Sequence, residues 1–344
     1  MTAEPNIWIL SRGRKGDLDQ MLVLARAAGW PFEVKRLSFR GPDIPVLSPL
    51  LLRRRESGLA PPWPGIVLCA EASASVIALE IRRKAKGRTR AVCIGRPAGS
   101  ARGFDLVITT AQYRIPAAPN VVEISMPLAG AAQPLAGNVP EGPVTLLVGG
   151  PAFPDQLDAA VAATLASDAM AYANGKNRIL SVQTSPRTPD RAIAALARSI
   201  APPHRLAIFG LGENRYSEAL AEASELVVTS DSVSMLSDAL ASGKPVSVYP
   251  LPQSRNIKWQ IGEWLYRNAV EEPSLPFAPV RWLFDTGLME AAADRRRLLA
   301  RLVAGKRLTW FGDGLLPPQP EAMQADLETA VRSLRGLVGQ QPGL

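Results

Sequence analysis

The stretch Leu226-Val-Val-Thr229-Ser230-Asp231-Ser232-Val233-Ser234-Met235-Leu236-Ser237-Asp238-Ala-Leu-Ala-Ser-Gly243-Lys-Pro245-Val-Ser-Val-Tyr249 decides the fold. It reads as strand, polar turn, helix, glycine stop, strand. The apolar run 226–228 suits a short buried strand. Asp231 and Ser232 can cap the helix that follows. Gly243 ends that helix and Pro245 follows, two residues on. Such a turn aims backbone N–H groups and hydroxyls past the carboxyl end of a parallel strand, a place that suits a phosphate. Capping alone explains Asp231 and Ser232 equally well. Yet Thr229, Ser230, Ser232 and Ser234 are more hydroxyls than one cap needs. Asp238 lies one or two turns further along, on roughly the face of Asp231 and Ser234.

Outward from this stretch, strand and helix alternate over almost the whole chain. Strands are expected at 7–10, 32–37, 66–70, 91–94, 105–109 and 121–124. A second series follows at 144–148, 178–182, 206–209, 226–228 and 246–249. Helices are expected at 17–28 and 72–86, a short basic one at 49–56, and two in the tail at 288–303 and 321–337. This alternation implies parallel sheets. Residues 127–143 turn to Ala, Gly, Pro and Gln without periodicity and read as a linker. The expected class is therefore α/β, with two Rossmann-like doubly wound domains facing a cleft. The domains fall at 1–137, 138–285 and a C-terminal helical segment 286–344.

The 344 residues are comfortable for two domains. A net charge of +8 rests partly on the clusters Arg53-Arg54-Arg55, 82–90 and Arg295-Arg296-Arg297. These suit solvated helix faces, or attraction to phosphorylated substrates and anionic headgroups. Nucleic acid is not expected, because aromatics do not interleave with the basic runs. Cys69 and Cys93 sit in apolar runs as small buried hydrophobes, with no metal or disulfide spacing. No signal peptide and no bilayer-length apolar run is visible. The expected place is the cytoplasm, and the basic charge is compatible with the inner face of the membrane.

Ligands in doubly wound sheets gather beyond the carboxyl ends of strands, which selects particular loops. Gly149-Gly150-Pro151 follows one such strand. Gly210-Leu-Gly212-Glu213-Asn214 follows another, a turn that suits backbone approach to a flat base or a simple tight turn. Arg187 precedes a helix that Thr188 can cap and Pro189 can open. Its guanidinium fits a diphosphate, or a surface pair with Asp190. Asp17 can cap the first helix, and stands where a general base would be needed. His204, the only histidine, reads as a surface residue. No Ser-His-Asp or Cys-His set can be assembled, so the base has to be a carboxylate.

Together these residues resemble the ELM1-like family, bacterial relatives of a plant mitochondrial fission protein. The carrying segments are 8–10 with Gly16-Asp17-x-x-Gln20, Ile94-Gly95-Arg96-Pro97, 105–109 with Gln112-Tyr113 and Pro119-Asn120-Val121, Gly149-Gly150-Pro151, Ser185-Pro-Arg187-Thr188-Pro189, Gly212-Glu213-Asn214-x-Tyr216, and Thr229-x-Asp231-Ser232-Val233-x-Met235. The resemblance implies a GT-B-like layout similar to the glycosyltransferase MurG, with the C-terminal helices of 286–344 crossing back to the N-terminal domain. It also implies a nucleotide-diphosphate sugar on Gly149, Gly150, Arg187, Gly212, Glu213, Asn214, Ser230, Asp231, Ser232, Ser234, Met235 and Asp238. MurG-like enzymes hold the ribose with a glutamate where this chain has Asp238, one methylene shorter. The family's Gly-Glu-Asn-Pro-Tyr is here Gly212-Glu213-Asn214-Arg215-Tyr216.

The expected function is metal-independent sugar transfer without a cofactor, because no Asp-x-Asp motif is placed at a strand end. Asp17 is the expected base. The acceptor is expected to be lipid-linked or to belong to an anionic envelope or membrane surface. A non-catalytic adaptor of the ELM1 type stands as the alternative, and a nucleotide-sugar 2-epimerase as a third.

Overall fold

The structure, a computed structural model, describes residues 5–40, 47–53, 55–70, 72–128, 139–254, 256–286, 288–289 and 293–339. Its contacts divide the chain into two compact units. Unit 1 holds Met1–Gly130, Ile257–Asp294 and Gln324–Leu344; unit 2 holds Ala131–Asn256 and Arg295–Met323.

Unit 1 contains β1 (Ile7–Ser11), α1 (Lys15–Ala28), β2 (Phe32–Arg36), α2 (Ser48–Leu51), β3 (Ile66–Cys69), α3 (Ala72–Lys84), β4 (Arg90–Ile94), β5 (Leu106–Thr110) and β6 (Val121–Ile124). All strands are parallel, in the order β2-β1-β3-β4-β5-β6. The central strands read as continuous apolar runs because both sheet faces are covered. Edge strand β2 instead carries Glu33, Lys35 and Arg36, charges that discourage pairing with another chain. Cys69 and Cys93 are buried register partners on β3 and β4.

Unit 2 contains β7 (Val144–Val148), α4 (Ala159–Gly175), β8 (Leu180–Thr184), α5 (Asp190–Ser199), β9 (Arg205–Ala207), α6 (Tyr216–Glu222), β10 (Glu225–Thr229), α7 (Val233–Ala241) and β11 (Val246–Tyr249). Its parallel order is β12-β11-β10-β7-β8-β9, with β12 (Thr309–Trp310) at the edge. Counted within the unit, this is the dinucleotide-type arrangement, whose order reverses between β7 and β10. The α4 alanines Ala162, Ala166, Ala169 and Ala173 are fully buried, and their small size lets the helix lie close on its neighbours. The α/β expectation of two Rossmann-like, doubly wound units therefore holds.

The grouping of the later elements differs from the expected segments. The stretch α8 (Ile257–Tyr266), a π-turn (Arg267–Glu271) and α9 (Ala278–Thr286) belongs to unit 1, not with 138–256. Arg114, at φ +54° just past β5, reaches Glu263 at 2.6 Å and Glu271 at 2.8 Å. Its carbonyl accepts from the Tyr266 hydroxyl. The tail also splits. Helix α10 (Arg295–Ala304) and β12 join unit 2, where Arg295 pairs with Asp155 at 3.2 Å. Helix α11 (Pro320–Gly339) returns to unit 1 from residue 324 on, its Asp326 accepting from the amides of Ser125 and Met126. Residues 129–138 of the expected linker lie outside the described residues. No helix among the described residues is long and apolar enough to cross a membrane.

Candidate functional site

The reversal point of the unit 2 sheet is made by the loops after β7 and β10. The Gly149 amide donates to Thr229 Oγ1 at 2.9 Å, and the Gly150 amide to Asp231 Oδ2 at 2.6 Å. A Cβ on Gly149 would collide with the Asp231 carboxyl, and one on Gly150 with the Arg187 carbonyl. Only glycine allows these three loops to meet. The β8 loop is tied in by Thr188. Its hydroxyl donates to the Gly149 carbonyl at 2.5 Å and accepts from the Ser185 amide at 2.9 Å. The Ser185 hydroxyl in turn accepts from the Arg187 amide at 3.3 Å.

These bonds change how the polar residues are used. Thr188 does not cap α5; the capping position is Pro189, with no side-chain bond. Ser232 occupies the capping position of α7, yet its side chain makes no capping bond. Asp231 turns to Gly150, and its other oxygen, Oδ1, is buried without a partner. Ser230 Oγ accepts from the Leu251 amide at 3.0 Å. The first turn of α7 thus presents its amides, and the positive end of its dipole, with no capping side chain. Burial raises the Asp231 carboxyl above its ordinary range, against the opposing pull of Thr229, the Gly150 amide and the Arg187 charge.

Ser234 and the Arg187 side chain are exposed, and Met235 is buried beside them in sequence. Arg187 makes no ion pair with Asp190, nor with any other described residue. After β9, Gly212 takes a left-handed φ of +77°, which suits glycine, and Glu213 and Asn214 are exposed. Asn214 Oδ1 accepts from the Tyr216 amide at 3.3 Å. The Tyr216 hydroxyl donates to Asp238 Oδ2 at 3.1 Å, tying the β9 loop to α7. Burial, then the Asp238 charge, pushes the Tyr216 phenol well up.

The structure therefore places the expected unit 2 residues in the loops that follow β7, β8, β9 and β10 and in helix α7. Asp17 belongs to unit 1. It does not cap α1, whose capping residue is Arg14; it lies in the first turn, half-buried, and its charge helps raise the Tyr113 phenol, behind burial as the main cause. His204 is not a plain surface residue, because its Nδ1 accepts from the Leu180 amide at 3.1 Å where β8 begins. The sequence reading missed the role of Thr188 as a clasp and of Tyr216 as the partner of Asp238. Both sit within quoted motifs, but only the long-range contacts reveal their use. Among the described residues, no group of three or more His, Cys, Asp or Glu is placed to hold a metal ion.

A family model described as Mitochondrial fission ELM1 matches residues 15–267, most of the chain. The chain belongs to the mitochondrial fission ELM1 family. The match spans every loop described above, so the ELM1 family pattern includes the β7, β8, β9 and β10 turns. No curated protein matches this ELM1-family chain in sequence. Among solved structures it is similar to MurG of Acinetobacter baumannii, with 13% identity, a TM-score of 0.41 and coverage of 95% of this chain and 99% of that one. A glycosyltransferase of kitacinnamycin gives 12% identity and a TM-score of 0.49 over 99% and 100%. The UDP-GlcNAc 2-epimerase of Methanocaldococcus jannaschii, in complex with UDP-GlcNAc and UDP, gives 10% identity and 0.45 over 97% and 99%. Likenesses this loose carry neither substrate nor mechanism to the ELM1-family chain.

Proposed function

We propose that the protein binds a nucleotide-diphosphate sugar at the reversal point of the unit 2 sheet and transfers the sugar to an acceptor hydroxyl. One observation carries this: the N-terminus of α7 is surrounded by polar side chains, none of which caps it. A diphosphate would accept from the amides of that first turn and from Ser232 and Ser234. Arg187 would add a fork of parallel donors to paired phosphate oxygens. Gly149 and Gly150 keep the loops close, and Met235 and Ser230 hold the turn in place. Gly212, Glu213 and Asn214 form the base side, and Asp238, oriented by Tyr216, takes the ribose. In the transfer step the acceptor oxygen forms a bond to the anomeric carbon as the sugar–diphosphate bond breaks. Asp17 takes the acceptor's proton, and Arg187, the hydroxyls and the α7 amides stabilise the diphosphate that leaves. The basic charge suits an anionic or lipid-linked acceptor, and the protein then works at the inner face of a membrane.

A panel of nucleoside diphosphates and nucleotide sugars, read by thermal unfolding, tests the donor site. A ligand at about 100 times its dissociation constant adds about 2.7 kcal/mol of stability. If no member of the panel shifts unfolding, the donor site is refuted and an ELM1-type adaptor takes its place.

A further inference from the structure

Helix α8 carries an apolar stripe on its outer side. Ile257, Ile261 and Trp264 stand at helical spacing and are 74%, 51% and 55% exposed, while Tyr266 on the opposite side is buried. The segment that follows adds Leu275 at 91% and Trp282 at 58%. Two ring contacts make one corner of these pieces. Trp264 meets Phe277 edge-on at 5.0 Å, and Tyr266 meets Phe284 at 5.2 Å. Isolated exposed hydrophobics need no explanation, but five large ones on a single corner do.

Charge and area together indicate what covers it. Residues 257–286 hold four acids, Glu263, Glu271, Glu272 and Asp285, against Lys258, Arg267 and Arg281. Glu263 and Glu271 both bind Arg114, and Asp285 pairs with Arg281 at 3.7 Å. Lys258, Arg267 and Glu272 stand exposed, the first two on either flank of the stripe by helical angle. With Arg114 counted, the corner is neutral on a chain of net charge +8. A neutral corner offers an anionic partner no attraction. It suits a second copy of the chain, because two molecules of like net charge repel least where each is locally neutral. A patch holding both signs also complements itself across a two-fold axis, where base can face acid. At the exposures given, the two tryptophans offer roughly 250 Å², and the three aliphatic side chains add a comparable amount. Two copies face to face would bury on the order of 1,000 Å² of apolar surface, and the polar flanks bring the total to the 1,200–2,000 Å² or so of a stable interface.

We propose that the protein pairs with a second copy of itself through the α8–α9 corner of unit 1, in an isologous contact with Ile257, Ile261, Trp264, Leu275 and Trp282 at its centre. This stands apart from the nucleotide site, because it uses neither a unit 2 loop nor Asp17.

Sedimentation equilibrium of the full chain tests it. The chain should reach twice its mass of 36.8 kDa at concentrations up to about 100 μM. Raising the salt to about 1 M should not split the dimer, because the contact is apolar and neutral. Ile261→Glu combined with Trp264→Glu should raise the dissociation constant about 100-fold or more. Lys258→Glu and Glu272→Lys should each raise it about threefold or more, whereas an anionic partner would respond to the two in opposite directions. Leu50→Glu, at an 82% exposed position on α2, should leave the dimer unchanged. Circular dichroism checks that each variant is folded; should the double variant unfold, Trp282→Glu serves in its place. A wild-type chain that stays monomeric over this range overturns the proposal. So does a dimer that the folded Ile261→Glu/Trp264→Glu variant leaves intact, since the contact would then lie elsewhere on the chain.

Discussion

Replacing Ser232 and Ser234 by alanine separates a phosphate site from a helix cap, and the structure gives both magnitudes. A serine that caps a helix typically contributes about 1 kcal/mol, and its loss shows as earlier unfolding. Here neither hydroxyl makes a hydrogen bond with a described residue, and α7 has no side-chain cap. Ser234→Ala, at an exposed position, should therefore change stability by less than about 0.5 kcal/mol, and Ser232→Ala, buried but with no hydrogen bond to lose, should cost little more. A hydroxyl that donates to a charged phosphate contributes roughly 1.5–3 kcal/mol. Each substitution should then weaken a nucleoside diphosphate about 10- to 150-fold, at 1.4 kcal/mol per tenfold. Calorimetric titration of UDP against wild type, both single variants and the double variant measures the affinity. Urea unfolding of the same four proteins measures the stability. Normal affinity with early unfolding would refute the phosphate role, because the hydroxyls would then be serving the fold. Equal affinity for all four proteins with no loss of stability would refute it as well.

Three further outcomes follow from the same geometry. Arg187→Lys should weaken a nucleoside diphosphate more than about tenfold, because Lys lacks the planar fork, and should barely affect the free nucleoside; equal losses in parallel titrations would show that Arg187 only shapes the loop. Asp17→Asn should cost at most about 0.3–1 kcal/mol, the interaction of a first-turn carboxylate with the helix dipole, while turnover falls about 10²–10⁴-fold; full turnover removes Asp17 from the mechanism. Asp231 has a folded pKa raised by burial, so the native state holds its proton more tightly than the unfolded chain does. Its contribution to stability is therefore present below the unfolded pKa and is lost as pH rises through the folded one. Asp231→Asn keeps an oxygen for the Gly150 amide and removes the charge, so the fall in stability just above the ordinary carboxylate range should vanish from its pH–stability curve; an unchanged curve would show that the carboxyl is not the group titrating there.

Most of the fold is legible in short apolar runs. The runs 7–10, 66–69, 91–94, 106–108 and 144–148 lie inside parallel strands covered on both faces, where nearly every side chain is apolar. Strand ends were less clear. Expected 178–182 is observed as Leu180–Thr184, because Gln183 and Thr184 look like loop residues although both are buried. The two-residue strand β12 carries no periodic signal at all, and its pairing with Ser247 and Val248 is wholly long-range. The membership of α8 and α9 was illegible for the same kind of reason. It depends on Arg114, whose partners Glu263 and Glu271 stand some 150 residues further along the chain, at separations of 149 and 157.

The site shows where local chemistry stops being informative. Asp231, Ser232 and Thr188 each have the side chain and the position of a cap, and local rules give each that role. Each is diverted, or left over, by a neighbour that is distant in sequence. Gly150, 81 residues before Asp231, takes its carboxylate oxygen. Gly149, 39 residues before Thr188, takes its hydroxyl. Both diversions depend on glycine, since a Cβ at either position would drive the loops apart. What remains is a helix start without a cap, beside a buried carboxylate oxygen without a partner. Buried polar groups are rarely left unpaired, because each costs about 1–3 kcal/mol when it has no hydrogen bond. The helix start and the unpaired oxygen both stand at the one point in unit 2 where strand order reverses. A side-chain cap of the ordinary kind would have covered the α7 amides; without one, they are left for the acceptors of the ligand proposed above.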